Sequence, residues 1–273
     1  MLDPVVEHYA GTGDLTSSIA AALVSAGIEP AGMTTAALAP VDEFHIRGRE
    51  AILEIADALQ VTAASRVLDI GSGLGGPART IAELTGAHVT GVDLTPAFCS
   101  TASDLSQWTG LRERTDFTVG DATALAFPDG LFDAALTVHV AMNISDKPAL
   151  YREAHRVLRP GGRFVVYDVV AGPGGEVHYP VPWARDSSTS FLAPMTDMPA
   201  LLEAAGFTVL DQVDSSAESL AWFESVAARL KESGPAPVSF GLFLGADFPL
   251  MASNQVANLR EKAIRTATFV CEA

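Results

Sequence analysis

Cysteine and long apolar runs are scarce in this chain of 273 residues, and each scarcity removes a class of protein. The two cysteines, Cys99 and Cys271, lie far apart and outside any C-x-x-C spacing. This predicts two packing residues in a reducing cytoplasm, with no metal or redox site. No apolar run approaches the length of a bilayer-spanning helix, and the amino end lacks the basic and apolar regions of an export signal. We therefore expect a cytoplasmic protein that does not engage a membrane.

Basic residues are also few, because 17 Lys plus Arg stand against 33 Asp plus Glu, for a formal net charge of -16. A negative surface repels phosphate backbones, and no basic run with interleaved aromatic residues appears. We therefore predict a small-molecule ligand rather than a nucleic acid. The composition leaves the oligomeric state open.

The most informative feature that the chain does contain is a glycine-rich turn within residues 67–76, directly after an apolar strand pattern. Gly71, Gly73 and Gly76 satisfy G-x-G-x-x-G, which in dinucleotide-binding folds places a pyrophosphate at the next helix. Asp69 stands just before the first glycine, however, and a carboxylate repels phosphate and attracts a cationic group. A turn that binds nothing is the alternative, and the pattern favours a small ligand with positive charge.

A second acidic residue, Asp93, ends the next strand pattern about two dozen residues after Asp69. At the carboxyl end of the adjacent strand, a carboxylate can accept hydrogen bonds from both hydroxyls of a ribose. The alternative is that Asp93 only caps the helix that begins near Pro96. The spacing favours the ribose role, because it repeats that of nucleotide-binding folds.

Two further strand patterns cover residues 117–122 and 131–138, and both end near the same predicted crevice. In open α/β sheets, ligands lie outside the carboxyl ends of the strands. Asp121 is therefore expected at the base of a bound nucleoside, and residues 137–139 at the other end of the ligand. Apolar strands alternate with helical patterns from residue 61 to residue 170, which predicts a parallel sheet.

In this order, these segments resemble a class I S-adenosylmethionine-dependent methyltransferase, and they read VLDIGSGLGG, GVDLTP, GDATALAFPDGLFDAAL and RVLRPGGRFVVYD. The chain looks most similar to the branch with ubiquinone, menaquinone, tocopherol and sterol C-methyltransferases and glycine and sarcosine N-methyltransferases. The resemblance covers residues 60 to about 170. S-adenosylmethionine carries an ammonium and a sulfonium and no phosphate, which agrees with the cationic ligand expected at Asp69.

The resemblance implies an α/β fold with a Rossmann-like, seven-stranded, mostly parallel sheet, helices on both faces and an antiparallel last strand. We expect a helical lid over residues 1–60 and a cofactor-binding domain over residues 61–273. Lid segments on the acceptor side are expected at about 171–200, which is rich in proline and glycine, and at 215–262. The closing strands are predicted near 207–213 and 266–271, with a helix near 216–231 whose buried stripe is Trp222, Phe223, Val226 and Leu230.

The resemblance also implies which residues hold the cofactor, and that residues 42–48 pack over it. Those expected around the methionine moiety are Asp69, Gly71, Ser72, Gly73 and Gly75. Those expected at the adenosine are Asp93 and Leu94 for the ribose and Asp121 and Ala122 for the adenine. Thr137 and Val138 are expected to add backbone contacts.

The predicted activity is methyl transfer to a small-molecule acceptor with a carbon, oxygen or nitrogen nucleophile, of a phenolic, quinone, isoprenoid or amine type. His139, just beyond the fourth strand, is a candidate general base, or it only shapes the pocket. Residues 140–144 lack the His-His pair that many relatives carry there, which leaves no family-derived catalytic histidine at Met142 or Asn143. His45 is a second candidate for a role in catalysis. The alternative is that it only stands at the start of a helix near Gly48.

The long loop after the last parallel strand holds aromatic residues that form an acceptor wall or simply pack on the core. The residues that we predict to contact the acceptor are His45, His139, Asn143, His178, Tyr179 and Trp183. Two other classes of function remain open at this point: an NAD(P)-dependent oxidoreductase, and a non-catalytic S-adenosylmethionine-binding protein.

Overall fold

The computed structural model describes residues 14–234 and 236–273, which form a single sheet flanked by helices. The strands are β1 (Arg66–Ile70), β2 (His88–Asp93), β3 (Thr115–Val119), β4 (Phe132–Val138), β5 (Leu158–Ala171), β6 (Thr208–Asp214) and β7 (Ile264–Glu272). The helices are α1 (Leu15–Ser25), α2 (Thr35–Asp42), α3 (Gly48–Leu59), α4 (Gly76–Thr85), α5 (Pro96–Trp108), α6 (Lys147–Val157), α7 (Met198–Ala204), α8 (Ser216–Ser233), α9 (Gly241–Leu244) and α10 (Phe248–Arg260).

The seven strands are ordered β3-β2-β1-β4-β5-β7-β6. The first five pair in parallel, and β7 runs antiparallel to both of its neighbours. This confirms the predicted Rossmann-like sheet with an antiparallel last strand. The chain order reverses between β1 and β4, and a ligand crevice opens at such a switch point, outside the carboxyl ends of the strands.

Two apolar layers cover the sheet, because successive side chains of a buried strand point to opposite faces. On one face, α3 and α4 bury residues such as Ile52, Leu59 and Ile81 against β1 and β2. On the other face, α6 buries Leu150 and Val157. Helix α3 therefore packs directly on the sheet, although it lies within the segment expected as a lid. Residues 1–13 of that segment lie outside the described residues.

The predicted buried stripe of α8 is wrong at its distal end. Trp222, Phe223 and Val226 are partly buried, but Leu230 is 54% exposed. Ser219, near the start of α8, is fully buried instead. The spacing of the apolar residues fits one helix face, yet only the first half of that face packs against α10 and β7. In the part of the chain that the structure describes, no helix combines the length and the apolar character needed to cross a membrane.

Candidate active site

A sharp turn joins β1 to α4 at the carboxyl end of the sheet. The backbone amides of Gly71 and Ser72 both donate to the carbonyl oxygen of Val92, at 2.7 and 3.0 Å. Gly71 has a φ of +78°, and a Cβ atom there would lie 2.3 Å from a methyl group of Val140. Only glycine meets both constraints, so the turn lies tightly against β2 and against the loop after β4.

The end of α2 lies on the first residue of α4, since a Cβ on Gly76 would lie 2.3 Å from the carbonyl oxygen of Asp42. Arg79, a buried residue of α4, connects the end of α2 to the glycine turn. Its fully buried guanidinium donates to Asp42 Oδ2 at 2.7 Å and to the carbonyl oxygen of Leu74 at 2.5 Å. Asp42 and Glu43 therefore lie against the end of the glycine turn, and the packing of residues 42–48 over the cofactor stays a prediction. The sequence prediction missed Arg79. The signal that could have identified it is a charged residue between apolar residues on the buried face of a helix.

Asp69, at the end of β1, is 1% exposed. Its Oδ2 atom and the hydroxyl oxygen of Ser72 have no hydrogen-bond partner among the described residues. Burial and the nearby Asp93 carboxylate raise the pKa of Asp69 to about 7, against weaker opposing effects of a hydrogen bond from the Ala78 amide and of the Arg79 charge. A buried oxygen without a donor is unfavourable, so these two atoms fit a ligand that brings donors and positive charge.

Asp93 lies on the other side of the glycine turn. Its Oδ2 accepts a hydrogen bond from the Gly73 amide at 2.9 Å, and its Oδ1 accepts one from the Thr95 amide at 2.8 Å. Burial raises the pKa of Asp93, and these two amides oppose that shift. Each carboxylate oxygen keeps a second lone pair, so Asp93 can still receive ribose hydroxyls. Leu94, the next residue, is 39% exposed at the crevice edge.

The loop after β3 carries Asp121, which is exposed and accepts from the Thr123 amide at 2.8 Å and the Thr123 hydroxyl at 2.7 Å. Ala122 beside it is partly buried. On β4, Thr137 is opposite Ile70 in the register, so its side chain points to the sheet face away from Asp69. Thr137 can therefore reach the side of the crevice on which Asp69 lies only with its backbone, whereas the side chain of Val138, one residue further on, points to that side.

His139 follows β4 with a φ of +55°, a left-handed conformation that is uncommon for a residue with a side chain. Its amide donates to the carbonyl oxygen of Tyr167 at 2.8 Å, and its ring centroid lies 5.0 Å from that of Tyr167. The Nε2 atom has no partner among the described residues. Burial, followed by the proximity of His45, holds the pKa of His139 well below its usual range.

His45 approaches the same place from the α2–α3 connection, with its ring centroid 6.0 Å from that of His139. Its Nε2 lies 2.9 Å from the carbonyl oxygen of Gly48. A carbonyl only accepts, so Nε2 carries the proton and the free lone pair is on Nδ1. Burial lowers the pKa of His45 to about 4, which keeps the ring neutral. The structure thus brings the two candidate histidines together.

The remaining acceptor candidates lie in or next to the loop after β5. The Asn143 amide nitrogen donates to the carbonyl oxygens of Trp183 and Thr189, at 2.8 and 2.7 Å, which leaves only its Oδ1 for a substrate. Trp183 is 1% exposed and packs with Tyr179 in one apolar cluster. His178 is exposed, with Nε2 2.7 Å from Glu261. Acceptor contact by these four residues stays a prediction.

Lys147, which the sequence prediction also missed, holds the loop after β4. Its buried ammonium donates to the carbonyl oxygens of Ala141 and Ile144, at 2.8 and 3.0 Å, and to that of Phe191. On the other side of the loop, Asp168 accepts from the Met142 amide at 3.0 Å, and burial raises the pKa of Asp168 to about 7. The segment after His139 is therefore fixed from two sides.

Comparison with known proteins identifies the same family that the sequence motifs resemble. Residues 68–166 match the family model described as a methyltransferase domain. "Methyltransferase GfsG" of Streptomyces halstedii is 32% identical over 182 residues, which cover 66% of each chain. "Sterol 24-C-methyltransferase ERG6B" of Gibberella zeae is 37% identical over 114 residues, 42% of this chain and 30% of that protein. The chain thus spans between about a third and about two thirds of the length of these curated relatives.

Solved structures show the same fold. Geranyl diphosphate C-methyltransferase from Streptomyces coelicolor A3(2) aligns with a TM-score of 0.67 at 17% identity, over 82% of this chain and 78% of that one. The "[4+2]-Cyclase SpnF" aligns with a TM-score of 0.64 at 23% identity, over 95% and 92%. The chain belongs to the class I S-adenosylmethionine-dependent methyltransferases, as its sequence motifs predict. The cyclase shows that one fold carries more than one reaction, so the reaction has to be argued from the site.

Proposed function

We propose that this protein transfers a methyl group from S-adenosylmethionine to a small-molecule acceptor. The observation that carries the proposal is the buried Asp69 carboxylate, whose Oδ2 has no donor among the described residues and which stands beside a turn that only glycine can form. This arrangement suits the ammonium group of the cofactor and would repel a pyrophosphate. It therefore favours S-adenosylmethionine over a nicotinamide dinucleotide.

The cofactor would be held by residues of four strand ends. Asp69, Ser72 and the glycines of the turn (Gly71, Gly73 and Gly75) would take the methionine moiety. Asp93 and Leu94 would take the ribose, Asp121 and Ala122 the adenine, and the backbone of Thr137 and Val138 the remaining edge. When bound, S-adenosylmethionine supplies an electrophilic methyl group on its sulfonium.

The protein's own contribution to the transfer is to position the acceptor and exclude water, which by itself can lower a barrier by several kcal/mol. His139 and His45 are neutral and present lone pairs, so they can receive a hydrogen bond from an acceptor hydroxyl or amine. The lowered pKa makes His139 a weak base, which favours a hydrogen-bond acceptor over a strong proton acceptor. Asn143, His178, Tyr179 and Trp183 are proposed contacts at the outer end of the acceptor.

We propose the lid role for residues 14–47, because α3 after them packs on the sheet, and for the segments near 171–200 and 215–262. Asp42 and Glu43 support this division because they lie against Gly76 at the end of the glycine turn, and His45 lies beside His139. The acceptors named for the relatives are sterols, geranyl diphosphate and phosphoethanolamine. We propose that the acceptor is likewise a small molecule, of a phenolic, quinone, isoprenoid or amine type. We also propose that the protein acts in the cytoplasm.

The test begins with binding. S-adenosylhomocysteine should bind the purified chain in isothermal titration calorimetry and raise its melting temperature, whereas NAD should do neither. Binding of NAD alone would contradict the proposal. Radiolabelled S-adenosylmethionine is then offered with representatives of each acceptor type, and the methylated product is identified by mass spectrometry. Firm cofactor binding without transfer to any acceptor would favour a non-catalytic binding protein or a reaction like that of the cyclase.

A further inference from the structure

We propose that Tyr167 is a positioning residue that holds both His45 and His139 at the acceptor-facing end of the sheet. The inference rests on the proposed function, since it assigns Tyr167 a part in presenting the acceptor. Tyr167 lies in β5, is 1% exposed and comes from a strand that neither histidine belongs to.

The ring and the hydroxyl of Tyr167 act on different partners. The ring centroid lies 5.0 Å from that of His139 and 6.4 Å from that of His45, where the two planes meet at 89°. The backbone carbonyl of Tyr167 also accepts the His139 amide at 2.8 Å. The hydroxyl donates to the carbonyl oxygen of Ile46 at 3.1 Å, so it ties down the turn that carries His45.

The turn at residues 46–48 has a backbone conformation that a hydrogen bond from the core would stabilise. Arg47 and Gly48, which follow Ile46, have φ values of +67° and +43°. A left-handed Arg47 is unfavourable by itself and persists only where the surroundings determine it. The Tyr167 hydroxyl meets this turn from the core side, next to the start of α3. One side chain thereby connects the α2–α3 connection to the loop after β4, across residues far apart in sequence.

The surroundings of the hydroxyl keep it available as a donor. Burial raises the pKa of Tyr167 to about 12, so the oxygen stays protonated at neutral pH. The hydroxyls of Ser219, Ser215 and Thr266 hydrogen-bond to the Tyr167 oxygen and oppose this shift, and Ser219 Oγ and Ser215 Oγ lie 2.7 and 3.1 Å from Thr266 Oγ1. A phenylalanine would fill the same volume as Tyr167 but would leave the Ile46 carbonyl without its donor.

The test compares Y167F with a matched control, Y151F, in the full chain saturated with S-adenosylhomocysteine. Tyr151 is also fully buried, but on α6, with its hydroxyl 3.9 Å from Met198 Sδ. We expect Y167F to exchange the amide hydrogens of His45 and Gly48 about tenfold faster, as loss of one hydrogen bond implies. In ¹⁵N-histidine NMR the resonances of His45 and His139 should shift in Y167F and remain in place in Y151F. Affinity for S-adenosylhomocysteine should change by less than about twofold in both.

Unchanged exchange and unchanged histidine resonances in Y167F would overturn the proposal, as would equal changes in Y151F. A second measurement needs no variant: the hydroxyl proton of Tyr167 in the wild type should exchange slowly and show a nuclear Overhauser effect to Ile46, and the absence of that effect would also overturn the proposal. If S-adenosylhomocysteine does not bind the wild type, the proposed function fails instead, and the same comparison is made on the protein alone. With an acceptor in hand, Y167F should raise the acceptor KM and lower kcat without altering the cofactor KM.

Discussion

The backbone amide of Gly73 lies 2.9 Å from Oδ2 of Asp93, so the carboxylate that we assign to the ribose also holds the glycine turn. Cofactor contact and loop geometry thus depend on one side chain. The Thr95 amide, 2.8 Å from the other oxygen of Asp93, adds the start of α5 to the same group.

Replacing Asp93 with Ala should therefore weaken S-adenosylhomocysteine binding by about 1.5 to 3 kcal/mol for each charge-assisted bond that is lost. Calorimetric titration measures the effect. D116A is the matched control, because Asp116 is an exposed carboxylate on β3, where it pairs with His88. Equal affinity in D93A and the wild type would show that the ribose lies elsewhere.

The affinity for S-adenosylhomocysteine should depend on pH through Asp69. With a pKa of about 7, this carboxyl is largely protonated below neutrality and offers no charge to an ammonium. Affinity should therefore rise between about pH 6 and about pH 8, with protons released on binding. D69N should bind weakly, with no such rise. Asp93 and Arg79 also face Asp69, and burial raises the pKa of Asp93, so a pH dependence that persists in D69N would be assigned to Asp93.

Replacing His139 with Ala should lower turnover while leaving cofactor affinity nearly intact. If His139 only accepts a hydrogen bond from the acceptor, we expect a loss of about tenfold, whereas a general base would contribute about 100-fold or more. Because burial holds the pKa of His139 well below its usual range, wild-type kcat should stay level as the pH falls from about 8 to about 6. H88A, at the exposed start of β2, serves as the control, and normal turnover in H139A would remove His139 from the site.

Two glycine substitutions should separate backbone strain from steric contact. In G73A the new methyl group has no atom within 4 Å, so the only cost is the left-handed φ of +51°. This variant should be destabilised by about 1 to 2 kcal/mol. In G71A the left-handed φ of +78° is combined with a contact of 2.3 Å between the new methyl group and Val140. G71A should therefore lose more stability than G73A, and it should also lose cofactor binding. Denaturant unfolding measures both variants. Adding V140A should partly rescue G71A and leave G73A unchanged, and equal behaviour of the two single variants would contradict this account.

Much of the cofactor side could be predicted because its signal is local. Asp69, the glycines after it and Asp93 each end or follow a strand, and the ends of neighbouring parallel strands meet at one edge of the sheet. The antiparallel last strand follows from the family resemblance. The glycine turn and the two acids at the strand ends depend on residues close together in the chain, so a linear pattern carries them.

Other features could not be predicted, because their partners lie far away in sequence. Arg79 gains its role from Asp42, Lys147 from Phe191, and Tyr167 from Ile46. The exposure of Leu230 has the same origin, since a helix face is buried only where another element covers it.

The sequence by itself determined a glycine-rich turn after the acidic end of β1, an acid at the end of β2 and the parallel sheet that brings them together. Only the tertiary structure decided the charge state of the groups around the crevice. Burial by elements distant in the chain keeps His45 and His139 neutral and raises the pKa of Asp69 to about 7. The reason is that removal of water disfavours a charged group, and which groups lose their water is a property of packing rather than of residue order.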